Sequence, residues 1–303
     1  MSSRTHTHNT PLVLRIASAW VACLLFMALP AVAQTSSAAP QETAVSYYQP
    51  HDGIAPAASG DACDVVITNS KLFGIGRESM QDTYLSPEHY SGPEVRYTSV
   101  TMRVRPDRRW STMMINEGYV ANGKSRSENG SMMSGAYRFQ YGRLYRLPQL
   151  LEGLSLKAGV QGELLGGFIY STRNGNNPAQ ARAMIDVGPV LTAAYRVWRL
   201  DISYTASCPL AGLTFSPNYG QSYYEIFDRG NYDHNIVPTT IVSTPSLRHQ
   251  LMIRLKTSHH NNLTVGYLGD YQQQSVNNLK QHLYTHAFVI GVTHTFVAGR
   301  RYK

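Results

Sequence analysis

Ionisable residues recur in this chain at alternate positions of otherwise apolar segments, which puts them on one face of extended strands. Arg138, Lys157, Glu163, Arg182, Asp186, Arg196, Arg248 and Asp270 are of this kind. If that face is enclosed, the residues must pair, because a buried charge without a partner is costly. The chemistry they offer is a hydrogen-bonded, ion-paired network. A second group lies between residues 209 and 238, where Tyr219, Tyr223, Tyr224, Phe227 and Tyr232 are joined by the neighbours Asp233 and His234. Rings of this type either pack as a lid, with Phe215 and the nearby Phe168 or Tyr170, or present flat amphipathic surface to a glycan or protein. Lid packing is the expectation. No spacing of His, Cys, Asp or Glu fits a metal site, and no cofactor is expected.

The elements that must position these groups are strands. Leu154, Leu156, Ala158, Val160, Leu164, Phe168 and Tyr170 share one face, with Lys157, Gln161 and Glu163 opposite. Ile185, Val187, Pro189, Leu191, Ala193, Tyr195 and Val197 oppose Arg182, Asp186, Thr192 and Arg196. The same alternation runs through 200–207, 247–256 and 285–296. Weaker segments at 65–76, 94–106, 109–121, 132–146 and 262–273 bring the count to about ten, with eight or twelve as alternatives.

Connections at 77–92, 122–131, 171–181, 209–238 and 274–281 read as long, and those near Pro106, Pro148, Trp198 and His259 as short. Long outer and short inner connections are the rhythm of an outer-membrane barrel, and a soluble β-sandwich has no reason to keep it. The expected fold is therefore an all-β, antiparallel up-and-down transmembrane β-barrel closed by extracellular loops. Tyr119, Phe168, Tyr170, Tyr271 and Tyr284 near the outer strand ends, and Tyr141, Tyr145, Tyr195 and Phe296 near the inner ends, are expected to form two interfacial girdles.

The first residues indicate export. Arg4 and Arg15 precede an apolar run from Ile16 to Leu29, and Ala31, Val32 and Ala33 complete a signal with cleavage expected after Ala33. The run is short of the ~20 residues a membrane helix needs. Residues 34–62, rich in Ala, Ser, Pro and Gln, read as a flexible periplasmic leader, and 63–303 as the barrel. Cys63 and Cys208 fall at opposite ends of the wall, so no disulfide is expected between them. The formal charge is +8, and arginines such as Arg103, Arg108, Arg146, Arg199, Arg300 and Arg301 crowd the inner ends, where anionic headgroups are natural counterions. No reading element for nucleic acid accompanies them. The expected partners are outer-membrane lipid and an unspecified surface ligand or protein.

Four segments carry a resemblance: DTYLSPEHYSG at 82–92, GGFIYSTRNGNNPAQA at 166–181, FSPNYGQSYYEIFDRGNYDHNIV at 215–237 and TPSLRHQL at 244–251. They are similar to a family of outer-membrane barrels known as a domain of unknown function. The resemblance implies a membrane-barrel fold and carries no activity, substrate or catalytic residue. Small outer-membrane barrels include proteases and phospholipases. An omptin-like protease activates water between an aspartate pair and an Asp-His pair, for which Asp233 and His234 with Asp82 and Asp228 are candidates; no close aspartate pair marks an outer strand end. A phospholipase barrel needs serine beside histidine on its lipid-facing wall, and neither His249 nor His286 has a serine two positions away. The leading expectation is a non-enzymatic envelope or surface-interaction barrel, followed by a narrow or gated solute passage and then a rim hydrolase.

Overall fold

Alternation becomes long strands in the structure, a computed structural model that describes residues 65–127, 130–175, 177–258 and 260–298. The signal, the leader, Cys63, His259, Arg300 and Arg301 lie outside the described residues. The elements are β1 (Val65–Asp82), β2 (Ser86–Val104), β3 (Trp110–Ser125), β4 (Ser131–Arg146), β5 (Leu154–Ser171), β6 (Ala179–Val197), β7 (Leu200–Ser207), β8 (Ala211–Phe215), helix α1 (Tyr223–Phe227), β9 (Ile236–Thr240), β10 (Ser246–Lys256), β11 (Asn261–Val276) and β12 (Leu279–Ala298). Ten strands close an antiparallel ring in the order β5-β4-β3-β2-β1-β12-β11-β10-β7-β6, with β6 returning to β5. Closure leaves no open edge, which is what a β-structure in lipid requires.

β8 and β9 stand outside the ring and extend the β6 side past a bulge. At the bulge, Gly188 and Pro189 of β6 face Cys208, Pro209 and Leu210. Pro189 and Pro209 have no N–H to give, so the ladder cannot run through, and one strand gains a residue. Cys208 is a buried free thiol at this point.

Val65 pairs with Ala298, so both ends of the described barrel lie at one rim, here the terminal rim. At the far rim, three connections expected to be long are mostly strand: β1 and β2 meet over 83–85, β3 and β4 over 126–130, and β11 and β12 over Asn277 and Asn278. Asn277 and Asn278 both take positive φ, the conformation that a two-residue hairpin needs. β2 has 19 residues and β12 has 20, about twice what a bilayer requires. Among the described residues, 216–235 forms the longest excursion, and it contains α1.

Around mid-height the wall obeys the predicted alternation. Phe73, Ile75, Val160, Leu164, Ile185, Leu191, Ile253, Val265, Phe288, Ile290 and Val292 are large apolar side chains exposed on the outside. Such a band is stable only against lipid. Tyr141, Tyr195 and Phe296 are outward and exposed as expected, whereas Tyr119 is a correction: it is buried in the lumen, 5% exposed.

Candidate functional site

The lumen is filled in tiers. Toward the terminal rim, Met113, Ile115, Leu144 and Val190 form an apolar cluster against Val100 and Met102. Toward the far rim, Met80, Leu85, Tyr90, Ala121, Met132, Ile169 and Leu283 form another. Between them lies a charged tier built on Glu117 of β3, which is 0% exposed. Its carboxylate accepts hydrogen bonds from Arg96 Nη1 at 2.6 Å, Arg248 Nη1 at 2.8 Å, Thr98 Oγ1 at 3.0 Å and Arg138 Nη1 at 3.3 Å. Arg248 Nη2 donates to it as well. Asp270 of β11 is the second hub, accepting from Arg138 at 2.6 Å, Gln272 at 2.9 Å and Arg248 at 3.3 Å.

These pairs cross the barrel. β3 and β10 stand five strands apart in the ring of ten, and so do β4 and β11. Arg248–Glu117 and Arg138–Asp270 therefore tie opposite walls together, which neighbouring-strand pairs cannot do. Arg96 adds Glu94 at 2.7 Å, and Arg138 Nε lies 2.9 Å from Glu163. Charge-assisted bonds of this kind hold both partners in one geometry.

Of the residues read from the sequence, Arg138, Glu163, Arg248 and Asp270 meet in this tier. Arg182 is buried beside it, donating to Tyr119 Oη at 2.8 Å and to Gln272. Asp186 is also buried, next to a small cavity lined by Gln161, Glu163 and Ser207, with room for about one water. Among the described residues Lys157 forms no ion pair in the tier, and Arg196 sits at the terminal rim, bonded to Asp201 at 2.6 Å. Sequence reading missed Glu94, Arg96 and Glu117, as well as buried Glu78, and it read Asp82, also buried, only as a rim-protease candidate. The signal for the first two was present: Glu94, Arg96 and Thr98 alternate with Val95 and Tyr97.

The sequence family described as "Protein of unknown function (DUF3316)" matches residues 21–301. The chain belongs to this family. Its architecture is a closed ten-stranded antiparallel β-barrel with an apolar outer band. No curated protein matches it in sequence. Among solved structures, it is similar to the outer membrane protease OmpT from Escherichia coli, with 12% identity, a TM-score of 0.42, and coverage of 78% of this chain and 97% of that one. The transport unit of the autotransporter AIDA-I from Escherichia coli gives 6% identity and a TM-score of 0.38, covering 81% and 94%. Neisserial surface protein A gives 9% identity and a TM-score of 0.33, covering 76% and 97%.

Above the lumen of this family barrel, the aromatic excursion divides. Tyr223 stacks on Phe227 and contacts Phe215 and Tyr84, and its hydroxyl accepts from the Ala181 amide at 2.7 Å. Burial pushes the Tyr223 phenol above its ordinary range. Tyr219, Tyr224 and Tyr232 are instead 74%, 59% and 70% exposed, so the lid is built from Tyr223 and Ile226 rather than from all the rings. Phe168 and Tyr170 lie on the outer wall.

Helix α1 is fixed by a capping box. Ser222 accepts from the Glu225 amide at 3.2 Å, and Glu225 accepts from the Ser222 amide at 2.8 Å. The bonds from Ser222 hold the Glu225 carboxyl below its usual range. A depressed acid contributes stability above its unfolded pKa and loses it as pH falls through the folded one. Amide exchange at Ile226 is therefore expected to rise as pH is lowered below the ordinary glutamate range, after correction for intrinsic rates. Ser222→Ala should raise it about fivefold at neutral pH, for the ~1 kcal/mol of a lost cap. Exchange unchanged by either step would show that α1 is held by its ring contacts alone.

The hydrolase candidates are placed as follows. Asp233 Oδ1 lies 2.7 Å from His234 Nδ1, both highly exposed. Asp82 is buried, accepting from the Tyr84 amide and Gln281 at 2.9 Å each, and Asp228 is the C-cap of α1. His286 meets Tyr267 and Tyr271 hydroxyls on the outer wall, and His249 stacks on Tyr271.

Proposed function

We propose that this barrel is a non-enzymatic outer-membrane protein with a role in envelope structure or surface interaction, reached after a signal peptide is removed near Ala33. The terminal rim faces the periplasm in this reading and the far rim the outside. The observation that carries it is the charged tier: Arg248–Glu117 and Arg138–Asp270 bridge opposite walls of the lumen between two apolar clusters. Tyr219, Tyr224 and Tyr232, with Arg229 over the Tyr224 ring at 5.4 Å, support contact with a glycan or protein outside. Purified protein in planar bilayers is expected to show no sustained conductance, and its liposomes no swelling in small sugars. Stable unitary currents would overturn the closed lumen.

A narrow or gated passage is the second reading. It is favoured by Gln250 Oε1, Arg254 Nε and Asn262 Oδ1, which are buried on β10 and β11 without a hydrogen-bond partner and suit ordered water. The same recording separates the two readings.

A further inference from the structure

Outward positions change character just above the apolar band. Ile75 is paired with Phe288 and Val95, and two residues on, Arg77 is paired with His286 and Pro93. From there to the far rim, the outward residues are Arg77, Ser79 and Gln81 on β1, Ser91 and His89 on β2, Asn122 and Lys124 on β3, and Tyr284, His282 and Lys280 on β12. There is no carboxylate among them. Arg77, His89, Lys124, Lys280 and His282 form no ion pair among the described residues, whereas the exposed Arg108, Arg173 and Arg196 each pair with an acid. Arg77, Lys124 and Lys280 are cations on this face, and charge without an internal counterion calls for an external one.

The ledge beneath them is aromatic. Tyr271 packs on Tyr284 at 6.0 Å and on His286 at 5.4 Å, and it leads down to Phe288 and Ile290. Arg77 is oriented by donating from Nε to Ser91 Oγ at 2.8 Å.

We propose that the outward face of β12, β1, β2 and β3 binds the phosphates of a phosphorylated glycolipid of the outer leaflet, through Arg77, His89, Lys124, Lys280 and His282. The occupant is a lipid rather than a soluble anion because the basic patch continues without a gap into the apolar band, so that acyl chains and headgroup are met by one surface. Basic side chains at this height contribute to anionic-lipid binding by attraction that fades within a Debye length. The inference rests on the outer-membrane reading above.

The mature chain, purified in detergent, would be titrated with bisphosphorylated lipid A, with its dephosphorylated form and with inorganic phosphate, and retained adducts read by native mass spectrometry. Bound bisphosphorylated lipid is expected on the wild type. Each charge removed should weaken it about fivefold, so Arg77→Ser, Lys124→Ser and Lys280→Ser together should weaken it about a hundredfold. Asn122→Ser, on the same face and without charge, should leave it unchanged. Folding of each variant is checked by its heat-dependent mobility in gels. Three results would overturn the site: wild-type affinity in the triple variant, equal binding of dephosphorylated lipid, or displacement of the lipid by inorganic phosphate at comparable concentration. Absence of the chain from the outer-membrane fraction would instead remove the reading beneath the proposal.

Discussion

Glu117→Gln is expected to lower the unfolding free energy of the barrel by about 3–5 kcal/mol, the range for breaking a buried ion pair by removing one partner. Glutamine keeps the shape and removes the charge, so the loss reports electrostatics rather than a cavity. Arg96 spends one guanidinium nitrogen on Glu117 and Arg248 spends two, and Arg138 reaches it at 3.3 Å. With that anion gone, Asp270, Glu94 and Glu163 remain to hold the cations. Asp270 already serves Arg138 and Arg248, so it cannot take over the lost bonds without giving up its own.

A second substitution tests the cause. Arg248→Met in the Glu117→Gln background removes one stranded cation and should recover part of the loss, whereas Arg248→Met alone should destabilise by leaving Glu117 under-compensated. Urea titration of folding into detergent or vesicles reads all three. A loss under about 1 kcal/mol for Glu117→Gln would mean that water reaches the tier and screens it, and would favour the passage reading.

How much of this was legible depended on where lipid touches the wall. At mid-height, Val160, Leu164, Ile185 and Leu191 face out and Gln161, Asp186 and Thr192 face in, so composition and period agree. Above the band the phase inverts. Met80, Tyr90, Met132 and Leu283 face in and are buried, while Ser79, His89 and Lys280 face out. A reader tracking one apolar face loses the strand at that inversion, which is why 77–92, 122–131 and 274–281 looked like loops. The same inversion hid the role of Tyr119: its position near a strand end suggested a girdle, but it is an inward residue bonded to Arg182.

The charged tier was half visible for a related reason. Alternation identifies which residues share the inside, and Arg138, Arg248 and Asp270, read as inward, are buried. It carries no information on which strand stands opposite which. The pairing of β3 with β10 across the lumen comes from ring order and strand tilt, and Glu117, set among Asn116 and Gly118, had no apolar neighbours to mark it. The bulge at Cys208 and Pro209 was similarly silent, because it arises from two prolines brought together by register.

Ile290→Arg should lower the stability of the membrane-inserted barrel by about 2–4 kcal/mol, and Phe296→Arg by about 0–1 kcal/mol. Both side chains point outward from β12, at 57% and 41% exposure, so neither substitution disturbs the lumen. They differ in depth. Ile290 is flanked by Phe73 and Val265 across its two strand pairs, while Phe296 lies three outward positions nearer the terminal rim. A guanidinium at the first site must leave water or draw it in, and one at the second can reach the headgroups along its own stem. On a water-facing wall, arginine in place of an exposed isoleucine would change stability by no more than about 0.5 kcal/mol at either site. The gradient between the two variants, read from urea titrations of folding into vesicles, therefore measures whether lipid covers this face and where its midplane lies. Equal, small effects would place β12 against water and sink the membrane reading, together with the lipid site drawn from it.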